Sequence, residues 1–290
     1  AGIVDSHDRS IRSYLREWGF SEAYVRNFVA PFYAGITLDR SRSTSKRVFE
    51  YTFKSLSEGR IAVPAAGIAA IPEQLADRAD AAGASIRCSE PVEWVTDRGD
   101  GVTVGTSSGS VDADAVVVAT DPTEARRLTG VESIPPDARG CVTQYYRLPE
   151  AVAPSTRRKL LLNAGDPSPN TVVPISEVAP EYAPDGEALL NATFLDDAAF
   201  GRDADALAAE TRLTLESWYP DREFADLEPV RTHRIEFAQF DQPPGVHDDL
   251  PAPRAPDGRT YLAGDYTAWS AIQGAMRSGR EAAAAVLRDL

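Results

Sequence analysis

Residues 260–280 constrain the fold of this chain more than any other stretch. Thr260-Tyr261-Leu262-Ala263 reads as a buried strand that stops at Gly264-Asp265. After a short loop, Ser270-Ala271-Ile272-Gln273-Gly274-Ala275-Met276-Arg277-Ser278-Gly279-Arg280 opens a helix with small residues. Ser270 and Gln273 stand in capping-box spacing, which sets the expected helix start at Ser270. Gly274, Ala275, Ser278 and Gly279 leave the first turns almost bare of side chains. A helix start carries unpaired N–H groups and about half a positive charge, so a bare one suits a flat or anionic ligand. Asp265, at the strand end, is placed to accept hydrogen bonds from ligand hydroxyls. An ordinary strand–loop–helix ending in an Ala-rich surface helix accounts for the same residues.

Three further segments narrow the choice. Residues 59–75 (GRIAVPAAGIAAIPEQL) lead into an expected helix at 76–82, a strand at 84–88 and another over Pro91-Val92-Glu93-Trp94-Val95. Two alternating strands follow at 101–106 and 109–112, and then the apolar run 115–119 ends in Thr120-Asp121-Pro122. That run is unbroken and β-branched, the pattern of a strand buried on both faces. Ala119 and Thr120 would lie at its C-terminal end, where open α/β sheets hold ligands. Phe28-Val29-Ala30-Pro31-Phe32-Tyr33-Ala34-Gly35-Ile36 precedes Ser41 to Ser45 and an apolar-spaced helix at 48–56.

In order and spacing these segments resemble the flavin-containing amine oxidase superfamily, which includes phytoene desaturases and protoporphyrinogen oxidases. The resemblance implies an FAD-dependent oxidoreductase whose Gly264-Asp265 contacts the ribityl-pyrophosphate part of FAD. The helix start at Gln273-Gly274-Ala275 would face the flavin ring, the backbone of Val92 the adenine end, and Ala119 and Thr120 would join the cofactor site. Phe28, Phe32 and Tyr33 match aromatic positions that line substrate pockets in the family, although aromatics at this spacing also serve as plain core. Residues 235–245 (IEFAQFDQPPG) resemble the segment that leads back to the flavin, making Phe240 a further pocket candidate; Gln239-Phe240 departs from the family's usual Leu-Pro. Some amine oxidases hold a water near the flavin with a lysine. Here Lys159 lies among arginines, and Lys46 and Lys54 are expected to flank a helix, which tilts the reading toward a desaturase-like enzyme with an apolar substrate. No catalytic residue is assigned.

The expected fold class is α/β: a partial FAD-binding Rossmann-like domain interwoven with a substrate domain of mixed sheet plus helices. Residues 1–57 would be the helical part of the substrate domain, 58–130 a segment of the FAD domain, 131–246 the β-rich substrate domain, and 247–290 the C-terminal FAD-domain segment. Within the β-rich part, strands are expected at 140–147, 160–163, 171–175, 188–194 and 230–237. Turns are expected at 165–170 and 183–186. A helix is expected at 204–218 with Leu207, Leu213, Leu215 and Trp218 toward the core. The ligand would lie between the two domains. The sequence contains no GxGxxG; Gly99-Asp100-Gly101 is followed by Val104 where the pattern needs glycine. About a hundred or more upstream residues, one βαβ unit with connections, are therefore expected to be missing from the usual family arrangement. A non-catalytic remnant without flavin, a flavin-independent enzyme and a flavin-dependent isomerase remain alternatives.

Composition excludes several classes. No apolar run approaches the ~18 residues of a membrane helix, and no basic patch with interleaved aromatics is present for nucleic acid. Arg157-Arg158-Lys159 reads as an exposed helix end or loop. Cys88 and Cys141 lack CxxC spacing and read as free thiols of a reduced, cytoplasmic protein. His7, His233 and His247 lack metal-ligand spacing, so no metal is expected. Net charge is −14 and Lys46, Lys54 and Lys159 are the only lysines. An acidic, lysine-poor, alanine-rich chain resembles proteins of salt-loving cells, where molar salt screens the self-repulsion of a carboxylate-dense surface. Circular dichroism should accordingly report loss of structure when KCl is lowered from molar to millimolar; an unchanged spectrum contradicts the halophilic reading.

Overall fold

The computed structural model describes residues 7–165 and 168–290. In chain order the helices and strands begin with α1 (Ile11–Glu17), α2 (Glu22–Tyr24), a π-helical turn (Val25–Val29), α3 (Ala30–Thr37), α4 (Lys46–Glu58) and α5 (Ala70–Ala81). Strands β1 (Val92–Asp97), β2 (Val102–Thr106), β3 (Gly109–Ala113) and β4 (Val116–Val118) lead to α6 (Pro122–Thr129). Then come β5 (Ala138–Pro149), β6 (Leu161–Leu162), β7 (Thr171–Pro174), β8 (Glu187–Phe194), α7 (Ala204–Trp218), β9 (Glu228–Phe240), β10 (Thr260–Leu262) and α8 (Ile272–Asp289). The class is mixed α/β. The chain divides into two compact units, Ala1–Arg78 with Arg139–Ala238 and Ala79–Ala138 with Gln239–Leu290.

In the first unit a five-stranded sheet has the order β6-β7-β8-β5-β9. Strand β8 alternates strictly, with Ala188, Leu190, Ala192 and Phe194 buried, and β5 buries Val142, Gln144, Tyr146 and Leu148. This period of two puts one apolar face on one side of the sheet. Leu207, Ala208 and Leu215 of α7 belong to the same core as that face. Helix α7 starts where Asp203 caps it, its carboxylate accepting from Ala206 N–H at 2.7 Å. Gln144 and Tyr146 bring polar groups into this core and satisfy them. Gln144 donates to the Ala204 carbonyl and the Thr232 hydroxyl, and Tyr146 donates to Gln144 while its oxygen meets Thr211 Oγ1 at 2.8 Å.

Several expectations need correction. Leu213 of α7 is 67 % exposed, because the helix turns only the Leu207–Thr211–Leu215 stripe inward. Lys54 lies inside α4 rather than beside it, and Lys46 is its first helical residue, buried, with its ammonium 3.0 Å from Glu50. Residues 84–88 form no strand; they are exposed and have no strand partner among the described residues. The apolar run 115–119 yields only the three residues of β4, with Val118 buried and Val117 39 % exposed. That run is not buried on both faces, because among the described residues β10 is its sole strand partner. Of the turn expected at 165–170, Asp166 and Pro167 lie outside the described residues.

The second unit holds an antiparallel meander, β1-β2-β3, and the parallel pair β10-β4. Trp94 lies across β2 so closely that a side chain at Gly105 would overlap its indole. Asp97, at the end of β1, accepts from Arg259 N–H at 2.6 Å just before β10 begins. At the far end Asp289 of α8 accepts from Arg254 and from the Tyr261 hydroxyl of β10, and this pairing with Arg254 holds its carboxyl down at about 2.

Replacing Leu215, wholly buried in the first unit's core, with alanine should lower unfolding free energy by about 2–5 kcal/mol. Leu213→Ala on the outer face of the same helix should stay within about 0.5 kcal/mol. Denaturant titration of the two variants reads the difference; equal losses contradict the assigned helix face.

Candidate functional site

The parallel pairing of β4 with β10 builds the site in the second unit. Thr260, Tyr261 and Leu262 stand opposite Val116, Val117 and Val118, and Ala263 N–H continues the ladder to the Val118 carbonyl at 3.0 Å. Because the strands run the same way, both chains leave the pair at the same end. Ala119-Thr120-Asp121 therefore emerges beside Ala263-Gly264-Asp265. Asp121 then caps α6, its carboxylate accepting from Thr123 N–H at 2.9 Å and Glu124 N–H at 3.2 Å. Ala119 and Thr120 are exposed at this edge.

The chain after β10 is folded tightly back on itself. Gly264 N–H donates to the buried Ser278 hydroxyl at 2.8 Å, and that hydroxyl donates to the Ala275 carbonyl at 2.6 Å. Ser278 thus ties the strand end to the first turns of α8. A side chain at Gly264 would overlap the Tyr266 ring, and one at Gly274 would overlap the Trp269 carbonyl. Both glycines are needed for close approach rather than for an unusual backbone. Trp269 in turn stacks on His247, with ring centroids 4.4 Å apart and planes 20° from parallel.

The helix does not begin where the capping box put it. Helix α8 starts at Ile272, its N-cap Ala271 is extended at φ −170°, and no side chain caps it. Ser270 lies outside the helix and donates its hydroxyl to Asp265 at 3.1 Å. The half-buried carboxylate outcompetes the helix for this hydroxyl, since a charge-assisted hydrogen bond exceeds a neutral one. Burial raises the Asp265 carboxyl above its ordinary value, against the opposing pull of the Ser270 hydroxyl. The result is a half-buried acceptor beside an 18-residue helix whose positive end lacks a side-chain cap. Such a place can receive hydroxyls at the carboxylate and negative charge at the helix.

The expected residues are not all brought together. Gly264, Asp265, Gln273, Gly274 and Ala275 share the turn into α8, and Ala119 and Thr120 stand on the neighbouring strand end. Val92 sits at the start of β1, where its carbonyl accepts from Arg127 at 3.1 Å. In the first unit Phe28, Phe32 and Tyr33 do meet, in an aromatic groove of about 430 Å³ that also includes Tyr24, Phe49 and Phe53. Phe28 and Phe32 stack at 5.4 Å, one helical turn apart. Phe240 is not among the groove's residues; it is buried at the end of β9, in the second unit. The tie through Ser278 and the Trp269–His247 stack escaped the sequence reading. Ser278 was legible as a small residue four positions from Gly274, whereas the stack joins residues 22 apart in sequence.

A profile of the flavin containing amine oxidoreductases matches residues 4–287. The chain belongs to this family. Among solved structures it is similar to a putative protoporphyrinogen oxidase from Exiguobacterium sp. 255-15, at 17 % identity and TM-score 0.71, covering 99 % of this chain and 69 % of that one. An oxidoreductase from Methanosarcina mazei gives 14 % and 0.72 over 99 % and 69 %. Cyclohexylamine oxidase from Brevibacterium oxydans IH-35A gives 18 % and 0.65 over 97 % and 68 %. No curated protein matches the chain. These likenesses establish the fold, and the family makes the protein a flavin-dependent oxidoreductase. No helix among the described residues is long and apolar enough to cross a membrane.

Asp265 gives the site a pH signature. A raised folded-state value means that the fold favours the neutral acid. The associated stability is present below the ordinary aspartate value of 3.8 and is lost as pH rises through the folded value. Asp265→Asn, which mimics the neutral acid, should therefore unfold at a higher temperature than the parent at pH 7, with the gap closing as pH falls below 3.8. A thermal melt that shows no gap at pH 7 contradicts the burial of this charge.

Proposed function

We propose that the protein is an FAD-dependent oxidoreductase that removes a hydride from an apolar substrate, with the second unit holding FAD and the first taking the substrate. The observation that carries this reading is the half-buried Asp265 carboxylate beside the uncapped start of α8, at the shared end of two parallel strands. The donor set suits the cofactor. Asp265 would accept from ribityl hydroxyls, and the helix start at Gln273-Gly274-Ala275 would lie toward the electron-rich edge of the ring. Ala119, Thr120 and Gly264 would leave backbone within reach, and Val92 would meet the adenine end with backbone groups. The Val92 carbonyl has a second lone pair beyond the one Arg127 uses.

FAD, when bound, supplies a two-electron acceptor for a hydride from a C–N or C–C bond. The protein's own part is to bind, orient and exclude water. The aromatic groove around Phe28, Phe32 and Tyr33 offers an apolar surface for the substrate. A substrate without a cationic amine is favoured because Lys46 is committed to Glu50 beneath the Tyr14 ring and is not poised to hold a catalytic water. Free Cys88 and Cys141 accord with a reducing compartment such as the cytoplasm.

Protein purified from its whole gene should carry FAD, and Asp265→Ala should weaken its retention at least about tenfold, the scale of one lost charge-assisted hydrogen bond. Flavin absorbance after dialysis reads this directly. Full retention by the variant contradicts the assignment of Asp265.

A further inference from the structure

Beside the aromatic groove of the first unit lies a second cleft, of about 450 Å³, into which Arg12, Arg16, Arg26 and Arg42 converge with Glu22 as the one acid. Leu15 and Phe20 line both, so the two hollows share a wall. Four arginines against one carboxylate stand out in a chain of net charge −14. Several other arginines of the chain are paired: Arg9 with Glu17, Arg147 with Glu228, Arg254 with Asp289, Arg277 with Glu281. Among the described residues no ion pair or side-chain hydrogen bond engages Arg12, Arg16 or Arg42, and the buried Nε of Arg42 has no acceptor. Arg26 reaches only the neighbouring Asn27 side chain, at 3.3 Å.

The arrangement is built rather than incidental. Arg12 and Arg16 stand one turn apart on α1, and Arg42 arrives from a loop in which it holds a left-handed backbone, φ +60°. Such strain in a non-glycine residue persists only where surroundings impose it. Here Asp39 imposes it, its carboxylate accepting from the N–H groups of Ser41 and Ser43, each at 2.7 Å, and from the Ser43 hydroxyl at 2.8 Å. Burial and then the neighbouring Arg12 charge push the Arg42 guanidinium below its ordinary value, and the Asp39 charge opposes them. Glu22 and Asp39 offset only part of the charge of the four guanidinium groups, and an anion relieves the surplus.

We propose that cleft and groove form one amphiphile site, in which the arginines bind an anionic head, a carboxylate or phosphate, and the Phe28–Phe32 ladder takes the apolar remainder of the same molecule. The proposal deepens the reading of the groove as the substrate pocket and rests on it. Its ligand is a soluble acidic amphiphile, and a cationic amine is disfavoured at this mouth by like charge.

Two fluorescent probes of similar shape test it in KCl at a concentration that keeps the chain folded: anionic 8-anilino-1-naphthalenesulfonate and neutral N-phenyl-1-naphthylamine. Arg12→Gln with Arg42→Gln should weaken the anionic probe at least about tenfold, the scale of charge-assisted hydrogen bonds, and leave the neutral probe within about twofold. Phe28→Ala should weaken both, and circular dichroism should match the parent for each variant. Unchanged binding of the sulfonate to the double arginine variant overturns the proposal, as does equal loss of both probes. Arginine-dependent pelleting with phosphatidylglycerol vesicles, without arginine-dependent binding of the soluble sulfonate, also overturns it in favour of a bilayer surface. The probes need no flavin, so this result stands apart from FAD retention.

Discussion

The parallel pairing of β4 with β10 is the constraint on which the candidate flavin site depends. Its last hydrogen bond, from Ala263 N–H to the Val118 carbonyl, aligns two strand ends so that a carboxylate and a helix start meet. A slip of one residue would turn Tyr261 to the other face of the strand and move the Gly264-Asp265 turn out of line with Thr120-Asp121. The Ser278 hydroxyl reinforces the alignment by holding the strand end and the helix with one group. Glycine at 264 and 274 lets backbone and rings close to a distance that any side chain would prevent.

The first unit works by a different physics. Its sheet buries one alternating face, and its buried polar residues Gln144 and Tyr146 are satisfied within the core. The proposed substrate surface lies instead on the helices that precede the sheet. There, Phe20, Tyr24, Phe28 and Phe32 form a ladder at steps of four residues, continuous through the π-helical turn Val25–Val29. The side-chain cost of a solvent-facing aromatic row is sustained by apolar ligand binding in this account, and the arginines beside it add selection by charge.

Much of this was legible in the sequence because local chemistry and tertiary role agreed. Helix α7 begins and ends as expected, since Asp203 caps it and its apolar stripe repeats with the helical period. Phe28, Phe32 and Tyr33 were singled out by resemblance to an aromatic segment of the family, and the helix brings Phe28 and Phe32 together because residues four apart share a face. The errors arose where a neighbour decided the outcome. Residues 84–88 have strand-like composition, but a strand needs a partner to pair with. Ser270 has the spacing of a helix cap, but Asp265 claims its hydroxyl. The arginine cleft was invisible in one dimension, because backbone bonds between distant residues, Arg12 N–H to the Arg42 carbonyl and Ile11 N–H to the Thr44 carbonyl, fold the loop against α1.

Amide hydrogen exchange of the protein from its whole gene, with and without FAD, tests the central claim most directly. The account predicts slowed exchange over residues 118–122 and 263–276 when FAD is bound, the two strand ends and the start of α8. Exchange unchanged over both stretches, with protection only elsewhere, would contradict it.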